Sequence, residues 1–188
     1  MHALPSDFLV AALAYLGTMV DNYFAFAAQL VVTPPARHRR VAWAQVLGVG
    51  ALVMIAGAVG AALSAVPLRL VGLLAIAPVA LAVHAWRARA EPAREQYRRG
   101  ATTTFLATLA LGGDNIAVWI PLLRATGVGG ALATLTTFAV CEFAFVTSAQ
   151  RLAARPGVVA WGTRHAPRLV PIVYVALGLL ILFECHTI

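Results

Sequence analysis

Residues 17–24 read Gly-Thr-Met-Val-Asp-Asn-Tyr-Phe and residues 112–119 read Gly-Gly-Asp-Asn-Ile-Ala-Val-Trp, so each half of the chain contains one Asp-Asn pair. Both pairs lie near the middle of apolar segments that are about one bilayer long. A carboxylate at the centre of a bilayer costs about 3 kcal/mol on insertion scales, so such residues usually have a function. Two carboxylates at matching depth predict a site for a cation.

The composition is that of a protein embedded in lipid. Of the 188 residues, 61% are hydrophobic and only 11% are charged, whereas an average soluble domain has about 25% charged residues. The net charge of +7 is also typical of nucleic-acid-binding proteins, but the arginines fall at the ends of apolar segments and no aromatic residues interleave with them. We therefore predict an all-α membrane protein in contact with the lipid bilayer and without a nucleic-acid partner.

Six apolar segments are long enough, or nearly so, to cross about 30 Å of hydrocarbon as helices. Twelve arginines follow the first, third or fifth of these segments, and only Arg69 and Arg124 lie on the opposite side. The positive-inside rule therefore predicts three cytoplasmic loops, with both termini outside. The six predicted transmembrane segments are residues 8–32, 41–63, 68–86, 102–123, 128–150 and 169–184.

The spacing of the two pairs also indicates an internal repeat. Asp114 follows Asp21 by 93 residues, which is close to half of the chain. Three helices in each half place the halves in opposite orientations, as in the inverted repeats of many secondary transporters. We predict a single transmembrane transporter domain over residues 1–188. It comprises a first three-helix repeat (1–90), a basic cytoplasmic linker (91–100) and a second three-helix repeat (101–188).

Glycine and proline suggest where helices approach closely or are interrupted. The second segment contains Gly48, Gly50, Gly57 and Gly60, which permit close contact between helix backbones in lipid. Pro78 and Pro121 each remove a backbone donor, so we expect a kink or a break in the third and fourth helices. The Gly112-Gly113 pair weakens the fourth helix just before Asp114.

The predicted site combines charged and neutral oxygen ligands. Asp21 and Asp114 supply two carboxylates that would neutralise a divalent cation, and Asn22 and Asn115 supply amide oxygens. In a different interpretation each aspartate pairs with an arginine or caps a broken helix, although no arginine lies at this depth. Further candidate ligands beside the two pairs are Thr18 and Gly113, the latter through carbonyls freed by a broken helix.

Other ligand-type residues have several interpretations. Glu142 in the fifth segment is an extra metal ligand, a proton acceptor, or a protonated residue bonded to a neighbouring helix. Cys141 is either a small core residue or a soft ligand for Cd²⁺ or Zn²⁺. In the Glu184-Cys185-His186 run, adjacent residues on a helix point to different faces, so we expect a polar helix end there.

The chain resembles the CadD-type cadmium resistance transporters, a branch of the LysE superfamily of small membrane exporters. The similar stretches are Gly17 to Asp21, Gly112 to Ile116 with Pro121, Ala149 to Ala153, and Gly178-Leu179 through Thr187-Ile188. The resemblance implies efflux of Cd²⁺, with Zn²⁺ as a second candidate ion, across the bacterial cytoplasmic (inner) membrane. The resemblance also implies that Asp21, Asp114 and Asn115 belong to the site for the ion. Glu142 stands where related sequences are often apolar.

The sequence therefore predicts a multi-pass secondary transporter, not an enzyme, that exports a divalent heavy-metal cation and contributes to heavy-metal resistance. The metal ion is the transported substrate, and no cofactor is expected. Since no GxxxxGK[ST] pattern occurs, we expect coupling to a proton gradient instead of ATP. Export of an amino acid or a small organic cation is the alternative, and a thiol-disulfide carrier using Cys141 and Cys185 is a third. Whether the chain forms a homo-oligomer stays open.

Overall fold

The computed structural model describes residues 4–76, 79–80, 83 and 100–184, and this part of the chain is helical and contains no strand. Three short 3₁₀ turns, at Pro35–Arg37, Leu63–Ala65 and Gly72–Ala75, accompany the α-helices. The α-helices are α1 (Leu4–Thr18), α2 (Val20–Val32), α3 (His38–Ala62), α4 (Leu68–Val71), α5 (Ala101–Leu111), α6 (Gly113–Ala125), α7 (Gly127–Leu152) and α8 (Pro156–Glu184).

Four of the predicted segments form candidate membrane spans. Two are single helices, Pro35–Ala65 and Gly129–Leu152, which are long and apolar enough to cross a bilayer. The other two are bent pairs, α1 with α2 at 55° and α5 with α6 at 60°. Large apolar side chains cover the outer surface, and Met54 and Phe143 are each 73% exposed, as expected of residues that face lipid. The all-helical membrane class is therefore confirmed, whereas six spans, the inverted repeat and the location of the termini stay predictions.

The last helix is longer than the sequence indicated. We expected it to start at residue 169, but α8 begins at Pro156 and continues through Arg164 to Glu184. Proline is well tolerated at the first position of a helix. The early turns of α8 pack against α2, because a Cβ atom on Gly162 would meet the ring of Phe24. This tertiary contact favours a helix where arginine and proline had interrupted the apolar pattern.

Parts of the predicted third segment and of the linker lie outside the described residues. The described beginning of this segment forms α4 and a 3₁₀ turn that reaches Ala75. Pro78, residues 91–99 and the end of the chain from Cys185 onward are not among the described residues.

Each unbroken helix packs against the broken pair of the other half. The first-half helix α3 contacts α5 and α6, and the second-half helix α7 contacts α1 and α2. The long helix α8 contacts mainly α2. The two halves are thus interlocked, and the breaks of both pairs lie inside the bundle.

Glycines on α3 and at the second break allow these close contacts. A Cβ atom on Gly48 would lie 2.8 Å from Cβ of Thr108 on α5, and one on Gly112 would meet the side chain of Leu52 on α3. Gly112 has φ −84°, a value that any residue adopts, so space and not backbone freedom requires the glycine here. Pro121 does not break α6, which is continuous from Gly113 to Ala125; the break falls at Gly112 instead.

The contact between α3 and α5 can be tested with two matched substitutions. We expect Gly48→Ala to destabilise the protein by about 1–3 kcal/mol, because the added methyl group overpacks against Thr108. Gly50→Ala, two residues along the same helix, meets nothing within 4 Å and should leave stability unchanged or slightly raised. Thermal unfolding in detergent compares them. Equal shifts for both variants would contradict the close packing described here.

Candidate metal-binding site at the two helix breaks

The two helix breaks have the same local geometry. Met19 separates α1 from α2 with φ −102° and ψ 5°, and Gly112 separates α5 from α6 with φ −84° and ψ 8°. In each half the helix after the break has aspartate as its second residue and asparagine as its third. The 93-residue spacing seen in the sequence therefore corresponds to a repeated backbone structure.

Each aspartate stabilises the start of the helix to which it belongs. Asp21 Oδ1 accepts a hydrogen bond of 2.8 Å from the backbone N–H of Asn22, and Asp114 Oδ1 accepts one of 2.8 Å from that of Asn115. A negative charge in the first turn also opposes the positive end of the helix dipole. Each of these bonds uses one oxygen of the carboxylate, and the cap positions themselves, Met19 and Gly112, make no side-chain cap hydrogen bond. Capping by the aspartates therefore stays a prediction.

The first break has a different local cause from the second. The Thr18 hydroxyl donates to the carbonyl oxygens of Ala14 at 2.9 Å and Tyr15 at 3.3 Å, within its own helix. Such bonds from threonine to the preceding turn often bend helices. The second break has glycine instead, which is a weak helix former. Sequence analysis expected an interruption at Gly112 but not at Met19.

The sulfur of Met19 joins the two halves at the level of the breaks. Met19 Sδ accepts from Asn115 Nδ2 at 3.3 Å and from Asn22 Nδ2 at 3.8 Å. Met19 is only 1% exposed, and both asparagines are fully buried. Sequence analysis did not include Met19 among the candidate ligands. Its place between Thr18 and the Asp-Asn pair was the available signal, since a thioether is a soft metal ligand.

The two carboxylates lie close enough to interact electrostatically. Both Asp21 and Asp114 are partly exposed, so each borders an accessible space, whereas the asparagine that follows each is buried. Neither aspartate forms an ion pair with an arginine among the described residues. Asn115 Oδ1 is buried and has no hydrogen-bond partner in this part of the chain. Two repelling carboxylates beside an unpaired amide oxygen form a favourable environment for a cation.

Glu142 is placed with Tyr15. The Tyr15 hydroxyl donates to Glu142 Oε2, and this bond joins α1 to α7. Within the described residues, no group of three or more His, Cys, Asp and Glu side chains could hold a metal ion together. The half-buried thiol of Cys141 is free, and helix geometry directs it to a different face from Glu142. Glu184 ends α8, and the rest of the C-terminal run lies outside the described residues.

Two aromatic rings pack against the ring of Tyr15. Its ring stacks on Trp119 of α6 with centroids 6.1 Å apart, and Phe138 of α7 lies 5.4 Å from it. Trp119 and Phe138 also contact each other at 4.8 Å. All three side chains are at most 3% exposed. An aromatic cluster therefore lies directly beside the first break.

The family model for cadmium resistance transporters matches residues 15–188, which include both helix breaks and both Asp-Asn pairs. The chain belongs to the cadmium resistance transporter family. The resemblance seen in the sequence is thereby confirmed, and membership indicates a membrane transporter whose substrate is a divalent metal cation. No curated protein and no solved structure matches this chain.

The bond between Tyr15 and Glu142 can be tested with a double-mutant cycle. Tyr15→Phe leaves the buried carboxyl group without its partner, and Glu142→Leu leaves the phenol without its acceptor. We expect each single change to cost about 1–3 kcal/mol of stability. The double variant should recover much of this loss, because no unpaired polar group remains. Thermal unfolding in detergent gives the coupling, and strictly additive losses would contradict a direct bond.

Proposed function

We propose that this member of the cadmium resistance transporter family exports Cd²⁺ by alternating access, with Asp21 and Asp114 binding the ion between the two halves. The observation that supports the proposal is the repeated break geometry, in which a partly exposed aspartate is the second residue of the helix after each break. Two carboxylates neutralise a divalent cation and so lower the cost of moving it through a low-dielectric interior.

The remaining ligands come from neutral groups at the two breaks. The α1 and α5 helices end at the breaks, and carbonyl groups at helix ends lack intrahelical partners. These ends also carry the negative pole of the helix dipole, which favours a cation. Asn115 Oδ1 is a further oxygen without a partner among the described residues. Thr18 and Gly113 lie next to the two breaks and are further candidate ligands. Glu142 is bonded to Tyr15, and we do not include it among the ligands.

Met19 supplies the feature that favours cadmium over lighter ions. Its thioether sulfur accepts hydrogen bonds from the side-chain amides of Asn22 in the first half and Asn115 in the second half. Soft sulfur ligands favour soft cations, whereas carboxylate and carbonyl oxygens alone favour Mg²⁺, Ca²⁺ and Mn²⁺. A site with two carboxylates and one thioether therefore fits Cd²⁺ better than a site with oxygen ligands only.

We infer that the two halves form an inverted repeat with the arginine-rich loops in the bacterial cytoplasm and both termini outside. The reciprocal packing of α3 on the second broken pair and of α7 on the first supports this interpretation. Efflux driven by protons is the coupling we propose, since the chain has no P-loop pattern for ATP.

Export of an amino acid is less compatible with this site. The N-termini of α2 and α6 could hold a substrate carboxylate. However, each of these N-termini already has an aspartate in its first turn, bonded to a backbone N–H group.

Removing either carboxylate tests the ion site. We expect Asp21→Asn and Asp114→Asn to abolish Cd²⁺ efflux in a metal-sensitive host. In purified protein the same variants should lose the thermal stabilisation by Cd²⁺, which is about 2.7 kcal/mol at a hundredfold excess over Kd. Asp7→Asn is the matched control, because Asp7 lies in the first turn of α1, far along the helix from the break. Zn²⁺, Mn²⁺, Co²⁺ and lysine are compared with Cd²⁺.

Normal efflux by both single variants at normal expression would eliminate the site. Stabilisation of the unmodified protein by lysine but by none of the metals would favour the amino-acid exporter instead.

Met19→Leu tests the sulfur ligand. Leucine has a similar volume, so folding should be retained at a cost of less than about 1.5 kcal/mol. We expect Cd²⁺ binding to weaken by at least about tenfold, since losing even an outer-shell partner weakens a metal site by about 10- to 100-fold. Binding of Mn²⁺, which prefers oxygen, should change little. The assay is metal titration followed by thermal unfolding, and equal losses for both ions would argue against a thioether ligand.

A further inference from the structure

Two buried hydrogen bonds occupy equivalent places on either side of the aspartate pair. Tyr15 on α1 donates to Glu142 on α7, and Thr108 on α5 donates to Gln45 on α3 with a distance of 2.7 Å. Tyr15 lies four residues before Met19, and Thr108 lies four residues before Gly112. The two donors are thus 93 residues apart, the same spacing as the two aspartates.

Both bonds connect one half of the chain to the other. The donor is on the first helix of a broken pair, and the acceptor is on the unbroken helix that packs against that pair. In the inverted repeat that we propose, α1 and α5 approach their breaks from opposite ends of the bundle, which places the two bonds on opposite sides of the site. With the termini outside, the Tyr15 bond lies toward the outer face and the Thr108 bond toward the cytoplasm.

The four side chains are well buried. Tyr15, Thr108 and Gln45 are fully buried, and Glu142 is 6% exposed. The rings of Tyr15, Trp119 and Phe138 pack together beside the Tyr15–Glu142 bond and add apolar contacts to it. A second bond, of 2.6 Å from Gln29 Nε2 to Thr104 Oγ1, reinforces the inner one. In this conformation, therefore, packed side chains lie on both sides of the breaks.

Both acceptor side chains keep one polar atom without a partner. Within the described part of the chain, Glu142 Oε1 and Gln45 Nε2 are buried and make no hydrogen bond. For Gln45, either orientation of the amide leaves one of its two polar atoms unpaired. A buried unpaired group costs about 1–3 kcal/mol, so its presence in both acceptors requires an explanation. A second conformation, in which these atoms are hydrated or rebonded, provides one.

We propose that Tyr15–Glu142 and Thr108–Gln45 are the outer and inner closures of the transport path, and that each opens in turn to expose the ion site to one face. The assignment rests on the proposed alternating-access transport. These four residues would open and close the path and would not bind the ion. A closure made of one or two hydrogen bonds between the interlocked halves can open without disturbing the ligands at the breaks.

Accessibility of a thiol at the site tests this proposal without any metal. Met19→Cys, in a chain whose native cysteines are replaced (Cys141→Ser, Cys185→Ser), places the only thiol between the halves. A membrane-impermeant maleimide is added to right-side-out or inside-out vesicles. We expect Tyr15→Phe to raise the labelling rate about fivefold from one face, and Thr108→Val to raise it about fivefold from the opposite face.

Matched controls separate the closures from general loosening. Tyr23→Phe removes a hydroxyl that bonds Ser148 at 3.2 Å in an exposed contact, and Thr136→Val removes one that bonds only the Leu132 carbonyl of its own helix. Neither should change labelling from either face. Where a primary variant does not fold, Glu142→Leu or Gln45→Leu breaks the same bond from the acceptor side. Asn115→Cys serves as a second reporter and should give the same pattern.

Increased labelling from the same face for both variants, or unchanged labelling for both, would overturn the closures. Labelling from opposite faces would support them even if Cd²⁺ failed to stabilise the protein, because the thiol assay uses no ion. Conversely, Cd²⁺ stabilisation that depends on both aspartates, together with unchanged labelling, would leave the ion site intact and reject the closures. The two proposals therefore fail on different observations.

Discussion

Hydrocarbon contains no water to satisfy a free backbone N–H or C=O group, so an interrupted helix inside a membrane needs partners from the protein. The described part of this chain has two such interruptions between paired helices, at Met19 and at Gly112, and the arrangement of the surrounding helices follows from them. In each half an aspartate accepts a backbone N–H in the first turn of the following helix. The unbroken helices α3 and α7 cover the breaks from the opposite halves.

The same constraint explains why a charged site is tolerated here. Two carboxylates in a low-dielectric interior repel each other and are costly to keep ionised. A divalent cation removes both costs, so the site is most stable when it is occupied. A site that depends on its substrate for charge balance suits a transporter, provided that the ion is released when the surroundings change. In the function that we propose, the sulfur of Met19, which accepts hydrogen bonds from asparagines of both halves, adds selectivity for Cd²⁺.

In the mechanism that we propose, two closures related by the internal repeat expose the ion site to one face at a time. Equivalent hydroxyl groups, each four residues before a break, bond to the facing unbroken helix. Their acceptors differ, since one is a carboxyl group bonded to the tyrosine of an aromatic cluster and the other is an amide near the Gln29–Thr104 bond. In the mechanism that we propose, the two faces of the transporter thus have related geometry but different chemistry, which would allow them to open under different conditions.

The sequence by itself determined the membrane class, most helix positions, the two Asp-Asn pairs and the break at Gly112. Apolar length, arginine position and weak helix formers are local signals, and so can be read from neighbouring residues. Only the tertiary structure decided the break at Met19, the early start of α8, the sulfur between the asparagines and the pairing of Tyr15 with Glu142. The break at Met19 has a local cause that hydropathy does not reveal, in the bonds from Thr18 to its own helix. The other three depend on residues that are distant in the chain, with Tyr15 and Glu142 separated by 127 positions. The hydropathy of a segment does not predict which residues of another helix it contacts, because those contacts depend on how the helices pack.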